Sequence, residues 1–597
     1  MVVDLRTSFG EILDTPSIFP TQEGEVEVII TNEGDSSFTG STDLALYAST
    51  DSDLEKNDLN INEEGSLDIL DGQDEVLTGQ SNGDNVGTIT IDDLNLAPGE
   101  STTVNLDFSA SDLRTPSVIA PGAYYLISEV DPNNTISEND NGNNQSSQFV
   151  STDGSNVVQD WNSVFLNAVQ ASGADSYGFS SPNAGDGTIP PVVPRNGALL
   201  HTAIFDTVVA FGGEFEPFAV DSLAPDGASV EAAVVGAAFT ILSSEEVYSQ
   251  QTSDFAEQRD RSLAEIDASD TEKTAGFEFG VEVAEELIEL RDSDFTTAQS
   301  EVFEPTNQPG AWRPIITVDG EVINQTPVGP QVESVSPFFI DSTQEFRPDG
   351  PPQFGSNDFA NETEETRMKG GRENTQVTDI TRSPEETEIA QFWSFDRTDT
   401  FRPPGHWNLI AQEAILQNQE NGGEELSLVE TARMFAQLNI ALTDAGVVSW
   451  DSKFDFAQLR PEHTINADPE NQIPPQPGFG YENIDGNEIS LQDPDWDPLI
   501  ETPAFPDYTS GHATFGAAAA EVLESVFGDD FNIEITSQDI PGLARSFGSF
   551  SEAAVENGRS RVFGGIHINS SSVEGLESGF EVGQFVVDNA LAATDLI

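Results

Sequence analysis

The chain has 597 residues, of which 37% are hydrophobic and 9% are aromatic, so we expect a globular protein with two or more domains. Its formal net charge is -84, from 22 Lys and Arg against 106 Asp and Glu. A surface this acidic repels nucleic acids and anionic membranes, which excludes both as partners. The lack of cysteine excludes disulfides, zinc–thiolate sites, iron–sulfur clusters and thiol catalysis.

Residues 1–150 carry the alternating pattern of short β-strands. Val26, Val28 and Ile30 alternate with polar residues, and so do Leu44 and Leu46. Turn-forming clusters such as TNEGDSS and LAPGES separate these runs. The pattern is typical of a small antiparallel β-sandwich.

This first region resembles the CARDB-type, immunoglobulin-like modules of exported bacterial proteins in the segments YASTDSDLEKNDL and SEVDPNNTISENDNGNN. It contains an acidic loop from Asp51 to Asp84, and carboxylates of this kind can bind calcium through their oxygen atoms. The loop lacks a complete EF-hand pattern, so a solvated loop without calcium is the competing interpretation.

The hydrophobic period changes after a polar linker at 151–156. Helical stripes run through NGALLHTAIFDTVVAF at 196–211 and LSLVETARMFAQLNIALTDA at 426–445, and an Ala-rich helix over 511–527 is expected to end at Gly528. A polar, Pro- and Gly-rich stretch at 305–385 is expected to wrap the helices. The sequence therefore predicts a β-sandwich at 1–150 followed by a large, mainly α-helical domain at 157–597.

Three segments near the C-terminus concentrate basic and polar groups in a chain that has only four lysines and five histidines. The segments are KFDFAQLRP at 453–461, YTSGHAT at 508–514 and SRVFGGIH at 560–567. They supply two guanidiniums, one ammonium, one hydroxyl, two imidazoles and a helix N-terminus, which all donate to, or ligate, a tetrahedral oxyanion. Taken alone, Ser-Gly-His is equally typical of a helix cap followed by a packed imidazole. The combination predicts an oxyanion site.

Local charge makes such a site feasible in this acidic chain. At an effective dielectric near 20, each cation about 4 Å from an anion contributes on the order of 4 kcal/mol. Surface acids beyond roughly 8–10 Å are screened by salt. Gly511 lets the backbone approach the anion closely and adds its N–H to the donors at the helix start.

In this order and spacing, the three segments resemble the signature shared by the vanadium haloperoxidases and the type 2 phosphatidic-acid-phosphatase-like acid phosphatases. The resemblance extends over roughly 157–597. It implies a vanadate cofactor held by seven residues, Lys453, Arg460, Ser510, Gly511, His512, Arg561 and His567. Among them it implies that His567 is the ligand bonded to vanadium, and that His512 and Lys453 are catalytic, His512 as acid–base group and Lys453 as the cation that polarises peroxide.

The resemblance also assigns residues around the oxyanion. Trp450 and Phe505 match halide-pocket positions of the fungal chloroperoxidases, whereas algal bromoperoxidases carry His where Phe505 stands. Asp396 resembles the carboxylate that pairs with the site lysine. Ser571 stands where many superfamily members have an Asp, four residues after the ligand histidine, so the partner that orients His567 is left open.

The resemblance implies an enzyme that oxidises bromide, and possibly chloride, with hydrogen peroxide to hypohalous acid, which halogenates organic acceptors. An acid phosphatase with His567 as nucleophile is the alternative from the same fold. An exported adhesion or calcium-binding matrix protein is the alternative of another class, and it explains residues 1–150 and the charge but not the three segments. Because these haloperoxidases are often oligomeric, the resemblance also implies a homodimer.

The expected cellular location rests on the net charge and on the first residues of the sequence. No apolar run approaches the length of a membrane span. The opening MVVDLRTSFGEI has no basic segment followed by an apolar one, so no secretory signal peptide is predicted. We expect an exported bacterial protein without a recognisable signal peptide, with cytoplasmic retention as the alternative.

Overall fold

The structure is a computed structural model that describes most of the chain. The described residues are 2–14, 23–49, 59–61, 67–69, 74–77, 88–109, 123–138, 143–151, 156–172, 189–244, 247–248, 251–291, 303, 306, 308–313, 315–318, 321–324, 327–397, 400–466, 480–482, 488–490, 492–540 and 543–594. The chain forms two compact units, Met1–Asn167 with Glu534–Arg545, and Ala168–Ile533 with Ser546–Ile597.

The first unit contains antiparallel sheets of three and five strands, and β4 pairs with β5 in a further small sheet, which confirms the β fold predicted for 1–150. The three-stranded sheet has the strand order β1-β2-β8, and the five-stranded sheet has the order β10-β9-β3-β6 with β7 also paired to β3. The strands are β1 (Leu5–Asp14), β2 (Glu23–Asn32), β3 (Phe38–Ser49), β4 (Leu59–Ile61), β5 (Leu67–Ile69), β6 (Asp74–Leu77), β7 (Thr88–Leu96), β8 (Ser101–Ser109), β9 (Ala123–Val130) and β10 (Gln145–Ser151).

The alternating apolar residues of these strands form the core between the two larger sheets. Val26, Val28 and Ile30 of β2 are fully buried, and Leu44 and Leu46 of β3 join the same cluster. Because side chains of a strand alternate between its faces, this burial fixes the register of each sheet. Most of the predicted calcium-binding loop and most of the linker at 151–156 lie outside the described residues.

The second unit is mainly α-helical, as predicted. The described helices of the chain are α1 (Val157–Ala171), α2 (Val192–Gly212), α3 (Val230–Leu242), α4 (Thr252–Glu265), α5 (Asp270–Arg291), α6 (Asn357–Gly370), α7 (Pro384–Phe392), α8 (Arg402–Glu420), α9 (Leu428–Phe456), α10 (Pro461–Ile465), α11 (Gly511–Phe527), α12 (Phe550–Phe563) and α13 (Asn569–Asn589). Short strands follow the same numbering as β11 (Ile315–Val318), β12 (Glu321–Asn324), β13 (Gly480–Glu482), β14 (Glu488–Ser490), β15 (Ile533–Thr536) and β16 (Ala544–Phe547). None of the helices in the described ranges is long and apolar enough to cross a membrane.

Helix α9 is longer than its apolar stripe predicts. It begins at a capping box between Ser427 and Glu430 and continues to Phe456, where Ala457 closes it in the left-handed conformation at a φ of 46°. Helix α11 covers the predicted 511–527 and ends at Gly528. The polar stretch at 305–385 contains α6, which its composition did not predict. The extension of α9 brings Trp450 and Lys453 onto the same helix.

Helices α11 and α13 lie close together because α13 carries small residues along one face. Gly575, Gly579 and Gly583 follow each other at intervals of four residues, so they lie on one side of α13. A Cβ atom at Gly579 would stand 2.3 Å from the carbonyl oxygen of Thr514 in α11. This close contact holds the N-terminus of α11, where the functional site lies, against the start of α13.

Two buried carboxylates tie loops to long helices. Asp206 of α2 accepts hydrogen bonds from the backbone N–H groups of 218–220. Asp444 of α9 accepts in the same way from 338–340. Each carboxylate thus satisfies three consecutive backbone donors that no helix or sheet pairs.

His201 of α2 gives the helical unit a measurable acid sensitivity. The ring is buried and stacks on Phe435 at 5.0 Å, and burial lowers its pKa to about 3. Because the unfolded ring has a pKa near 6.5, the folded state loses stability as pH falls below 6.5, by about 2 kcal/mol between pH 7 and pH 5. His201→Phe keeps the stacked ring, so the variant is expected to lose about 2 kcal/mol less than the wild type over this interval. Urea unfolding followed by tryptophan emission at both pH values measures this difference, and equal losses would contradict it.

Candidate active site

Several helix ends converge on one buried site in the second unit. Lys453 lies in the last turn of α9, Arg460 caps α10 and Arg561 lies in the last turn of α12. Ser510 stands at the N-cap position of α11, and His567 occupies the turn between α12 and α13. All five side chains are at most 2% exposed. The helices therefore bring three cations together away from solvent.

The Lys453 ammonium is surrounded by backbone carbonyls of the loop that precedes α11. Its Nζ donates to the carbonyl oxygens of Pro506 at 3.2 Å and Asp507 at 3.1 Å, and to that of Thr509. Burial and the nearby Arg460 charge lower the pKa of Lys453, and Asp507 raises it. Three acceptors require three N–H donors, which only the ammonium form supplies. The loop thus holds Lys453 charged and in one orientation.

Arg460 faces the ligand histidine predicted from the sequence. Its Nε donates to the Phe505 carbonyl at 2.8 Å, and its Nη1 donates to the Ile566 carbonyl at 2.7 Å. The same Nη1 lies 3.0 Å from Nε2 of His567. Because a guanidinium only donates, Nε2 accepts this bond and carries no proton.

Asp507 contacts the other ring nitrogen of His567. Its Oδ1 accepts from Nδ1 of His567, and its Oδ2 lies 3.4 Å from the backbone N–H of Ile568. Burial, Arg460 and Lys453 lower the pKa of His567, while burial raises the pKa of Asp507 to about 7. His567 is therefore neutral with its proton on Nδ1, which is the form that ligates metals through Nε2.

The segment after α7 contacts Arg561 and His512. Arg561 donates through Nη2 to the Asp396 carboxylate and through Nη1 to the Trp393 carbonyl at 3.2 Å. Nε2 of His512 lies 2.8 Å from the Ser394 carbonyl, which only accepts, so Nε2 carries the proton. Burial and the Arg561 charge lower the pKa of His512. His512 is thus a neutral imidazole with Nδ1 as its basic nitrogen.

Buried polar atoms at the centre of the site have no protein partner. Within the described part of the chain, Ser510 Oγ, Arg460 Nη2 and Arg561 Nε make no hydrogen bond. A serine at this position of a helix normally caps a backbone N–H, but Ser510 does not. A buried group without a partner requires an explanation, and a tetrahedral oxyanion at the α11 N-terminus supplies acceptors for all three. The residues present therefore fit vanadate, and they fit phosphate equally well.

An apolar wall borders these polar groups. The pocket is lined by Pro190, Asp396, Pro403, Trp450, Pro503, Phe505, Gly511, His512, Phe515, Arg561, Ile566 and His567. The centroids of the Phe505 and Trp450 rings lie 5.1 Å apart. Lys453 Nζ lies 5.1 Å from the centroid of the Phe505 ring. Arg460 lies over the same ring at 4.9 Å. Phe505 thus joins the apolar wall to the cations through cation–π contacts.

Two family matches cover the two regions that the sequence distinguishes. Residues 433–595 match the family described as the VCPO second helical-bundle domain, and residues 76–148 match CARDB. The vanadium chloroperoxidase of Curvularia inaequalis is 26% identical over 471 residues, which are 64% of this chain and 74% of that protein. The chain therefore contains a VCPO-type helical-bundle domain and is a homologue of vanadium chloroperoxidase. A CARDB region at its N-terminus accompanies the haloperoxidase domain.

Solved structures of vanadium haloperoxidases share the fold. The first bacterial vanadium-dependent iodoperoxidase to be solved superposes with a TM-score of 0.58 at 23% identity, covering 74% of this chain and 98% of that chain. A holo-type bacterial vanadium-dependent chloroperoxidase gives a TM-score of 0.50 at 15% identity, covering 67% and 91%.

The structure brings together the residues that the sequence assigned to the site, and one expected pairing is wrong. The seven residues expected to hold vanadate lie around one centre, and Trp450 and Phe505 lie in the wall of the pocket. Asp396 was expected to pair with Lys453, but it pairs with Arg561. The physical reason is that backbone carbonyls already accept all three Lys453 donors, whereas Arg561 needs a carboxylate.

Sequence reasoning missed Asp507, the partner of His567. The signal was present, because Asp507 is the sole acidic residue between 502 and 520, three positions before Ser510. Its assignment required the contact between this loop and the turn after α12, which are 60 residues apart.

Proposed function

We propose that the protein is a vanadate-dependent haloperoxidase that oxidises bromide with hydrogen peroxide and a proton to hypobromous acid and water. The hypobromous acid then halogenates organic acceptors. The observation that carries the proposal is the neutral His567, whose unprotonated Nε2 contacts the buried Arg460 guanidinium beside an apolar wall. Bromide is the minimum expected halide because it is easier to oxidise than chloride.

Different residues of the chain would hold vanadate, move a proton and shape the halide pocket. Arg460, Arg561, the Ser510 hydroxyl and the Gly511 N–H would hold the vanadate oxygens, and Nε2 of His567 would bind vanadium. Bound vanadate supplies a Lewis acid that activates hydrogen peroxide toward the halide.

The catalytic side chains and the apolar wall complete this assignment. His512 accepts a proton at Nδ1, because its Nε2–H is held by Ser394. Lys453 supplies a fixed positive charge, and the apolar wall excludes water from the halide.

Two assays test the proposal against its alternatives. Bromination of monochlorodimedone with vanadate and peroxide is expected, together with little hydrolysis of p-nitrophenyl phosphate in their absence. The opposite result would assign an acid phosphatase, since the site fits phosphate too. Inactivity in both assays would favour an exported adhesion or calcium-binding matrix protein.

The halide niche is tested by Phe505→His. The imidazole makes the apolar wall polar and weakens the contact with Lys453 and Arg460, so water remains around the halide. Desolvation costs more for bromide than for iodide, so a wetter niche favours bromide, and the ratio of its kcat/KM to that of iodide is expected to rise by at least about threefold, or about 0.7 kcal/mol. The control is Phe339→His, which changes an aromatic residue that packs on Phe585. An unchanged ratio would remove Phe505 from the halide niche.

Three wider properties are proposed from the resemblance and the charge. We propose a location outside the cytoplasm, a homodimer and a possible calcium site in the CARDB region. Analytical ultracentrifugation of the full chain, with calcium and with chelator, tests the last two.

A further inference from the structure

The resemblance places a carboxylate at position 571, but in this chain the carboxylate that contacts His567 belongs to Asp507. Many superfamily members have an Asp four residues after the ligand histidine, where this chain has Ser571. We propose that Asp507 replaces that carboxylate from the loop before α11 and is the positioning residue of His567. The inference rests on the proposed function because it takes vanadate as the ligand of His567. The contacts of Asp507 that support it are contacts between protein residues.

The side chain of Asp507 selects one tautomer of His567. Its carboxylate accepts from Nδ1, so the proton is held on the side away from Arg460. Nε2 then keeps its lone pair, which the Arg460 guanidinium contacts at 3.0 Å. Both carboxylate and imidazole are buried, so water does not compete for either bond.

The backbone of Asp507 is fixed at both of its polar groups. Its N–H donates to the Gln458 carbonyl at 3.0 Å, and its carbonyl accepts from Lys453 at 3.1 Å. One loop residue therefore connects the catalytic lysine through its main chain to the ligand histidine through its side chain. A shift of this loop would move both groups together.

Ser571 supports the relocated carboxylate. Its hydroxyl lies 3.5 Å from the side-chain oxygen of Gln458, whose backbone carbonyl accepts from the N–H of Asp507. The Ser571 backbone carbonyl accepts from the N–H of Ser510 at 2.8 Å, which holds the oxyanion end of α11. The serine thus contacts the same loop, and the carboxylate that contacts His567 belongs to Asp507.

The first test reads the tautomer in the protein without vanadate. Spectra of protein labelled with 15N-histidine are tractable because the chain has five histidines, and His567→Gln assigns the signal. The wild type is expected to show His567 with Nδ1 protonated and Nε2 unprotonated. Asp507→Ala is expected to lose this pattern and give averaged nitrogen shifts. Asp206→Asn removes a different buried carboxylate and is expected to leave the His567 signals unchanged.

The second test compares vanadate with inorganic phosphate by calorimetry. Loss of the partner of a metal-binding histidine typically weakens metal binding by about 10- to 100-fold, so Asp507→Ala is expected to lose that much vanadate affinity. Phosphate needs no bond to His567, and removal of a negative charge favours it, so phosphate affinity is expected to stay or rise. The double variant Asp507→Ala with Ser571→Asp restores a carboxylate near the ring and is expected to recover at least half of the lost vanadate binding energy.

The outcomes separate this inference from the proposed function. Unchanged histidine signals in Asp507→Ala, equal losses of vanadate and phosphate, or no rescue by Ser571→Asp would each overturn the positioning role. Thermal unfolding verifies that each variant is folded, and Asp507→Asn replaces the alanine variant if that variant unfolds. If the wild type brominates nothing while Asp507→Ala still changes the tautomer, the proposed function fails and the positioning role stands.

Discussion

Replacing His567 with alanine is expected to abolish bromide oxidation and to release vanadate from the protein. His567 supplies an unprotonated Nε2, whose lone pair accepts from the Arg460 guanidinium at 3.0 Å. Loss of a single oxyanion donor commonly costs about 10²–10³ in rate, and loss of the metal ligand is expected to exceed about 1000-fold. Monochlorodimedone turnover and vanadium content after gel filtration measure the two effects.

The control for His567→Ala is His201→Phe, which changes a buried histidine of α2. This control is expected to keep both vanadium and turnover, because its ring stacks on Phe435 and lines no part of the pocket. Retention of vanadium and turnover by His567→Ala would refute the assignment of His567 as the ligand.

Lys453→Met is expected to lower turnover by about 10²–10³, which is more than it lowers vanadate affinity. The methionine keeps the length of the side chain but removes its positive charge. It also leaves the carbonyls of 506, 507 and 509 without their donor. Each unsatisfied buried carbonyl costs about 1–3 kcal/mol, so the unfolding midpoint is expected to fall as well.

The matched control for Lys453→Met is Lys369→Met, which breaks an ion pair with Glu386 at 2.7 Å outside the pocket. Such a partly exposed pair contributes about 0–1 kcal/mol, so turnover and stability are expected to stay near those of the wild type. If Lys453→Met retains turnover comparable to the control, Lys453 does not polarise peroxide.

The sequence predicted the members of the site because short motifs fix them locally. The spacing of Lys453 and Arg460 spans one helix end and the next, and Ser510 to His512 is a helix start. Contacts across the chain were less accessible. The pair of Asp396 and Arg561 joins residues 165 positions apart and depends on a backbone turn at Phe395, where φ is 44°.

The end of α9 was missed for a physical reason. The apolar stripe stops before the sequence WDSKFDF. Two charged residues of that sequence are buried, and a pattern of apolar residues does not reveal buried charges. Asp451 is buried against Arg347 at 2.6 Å, and Lys453 is buried against carbonyls. Charged groups with partners can occupy the inner face of a helix, and their partners are visible only in the folded chain.

The loop from Phe505 to Thr509 neutralises cations mainly with peptide dipoles. Four of its carbonyls accept from Arg460 or Lys453, in a chain that has 106 carboxylates available for ion pairs. A carboxylate about 6 Å from a bound oxyanion would repel it by about 3 kcal/mol at an effective dielectric near 20. A carbonyl dipole satisfies the same N–H groups without carrying a full negative charge. The positive potential of Lys453 and Arg460 therefore survives inside a strongly anionic protein because these two cations are solvated mainly by the main chain.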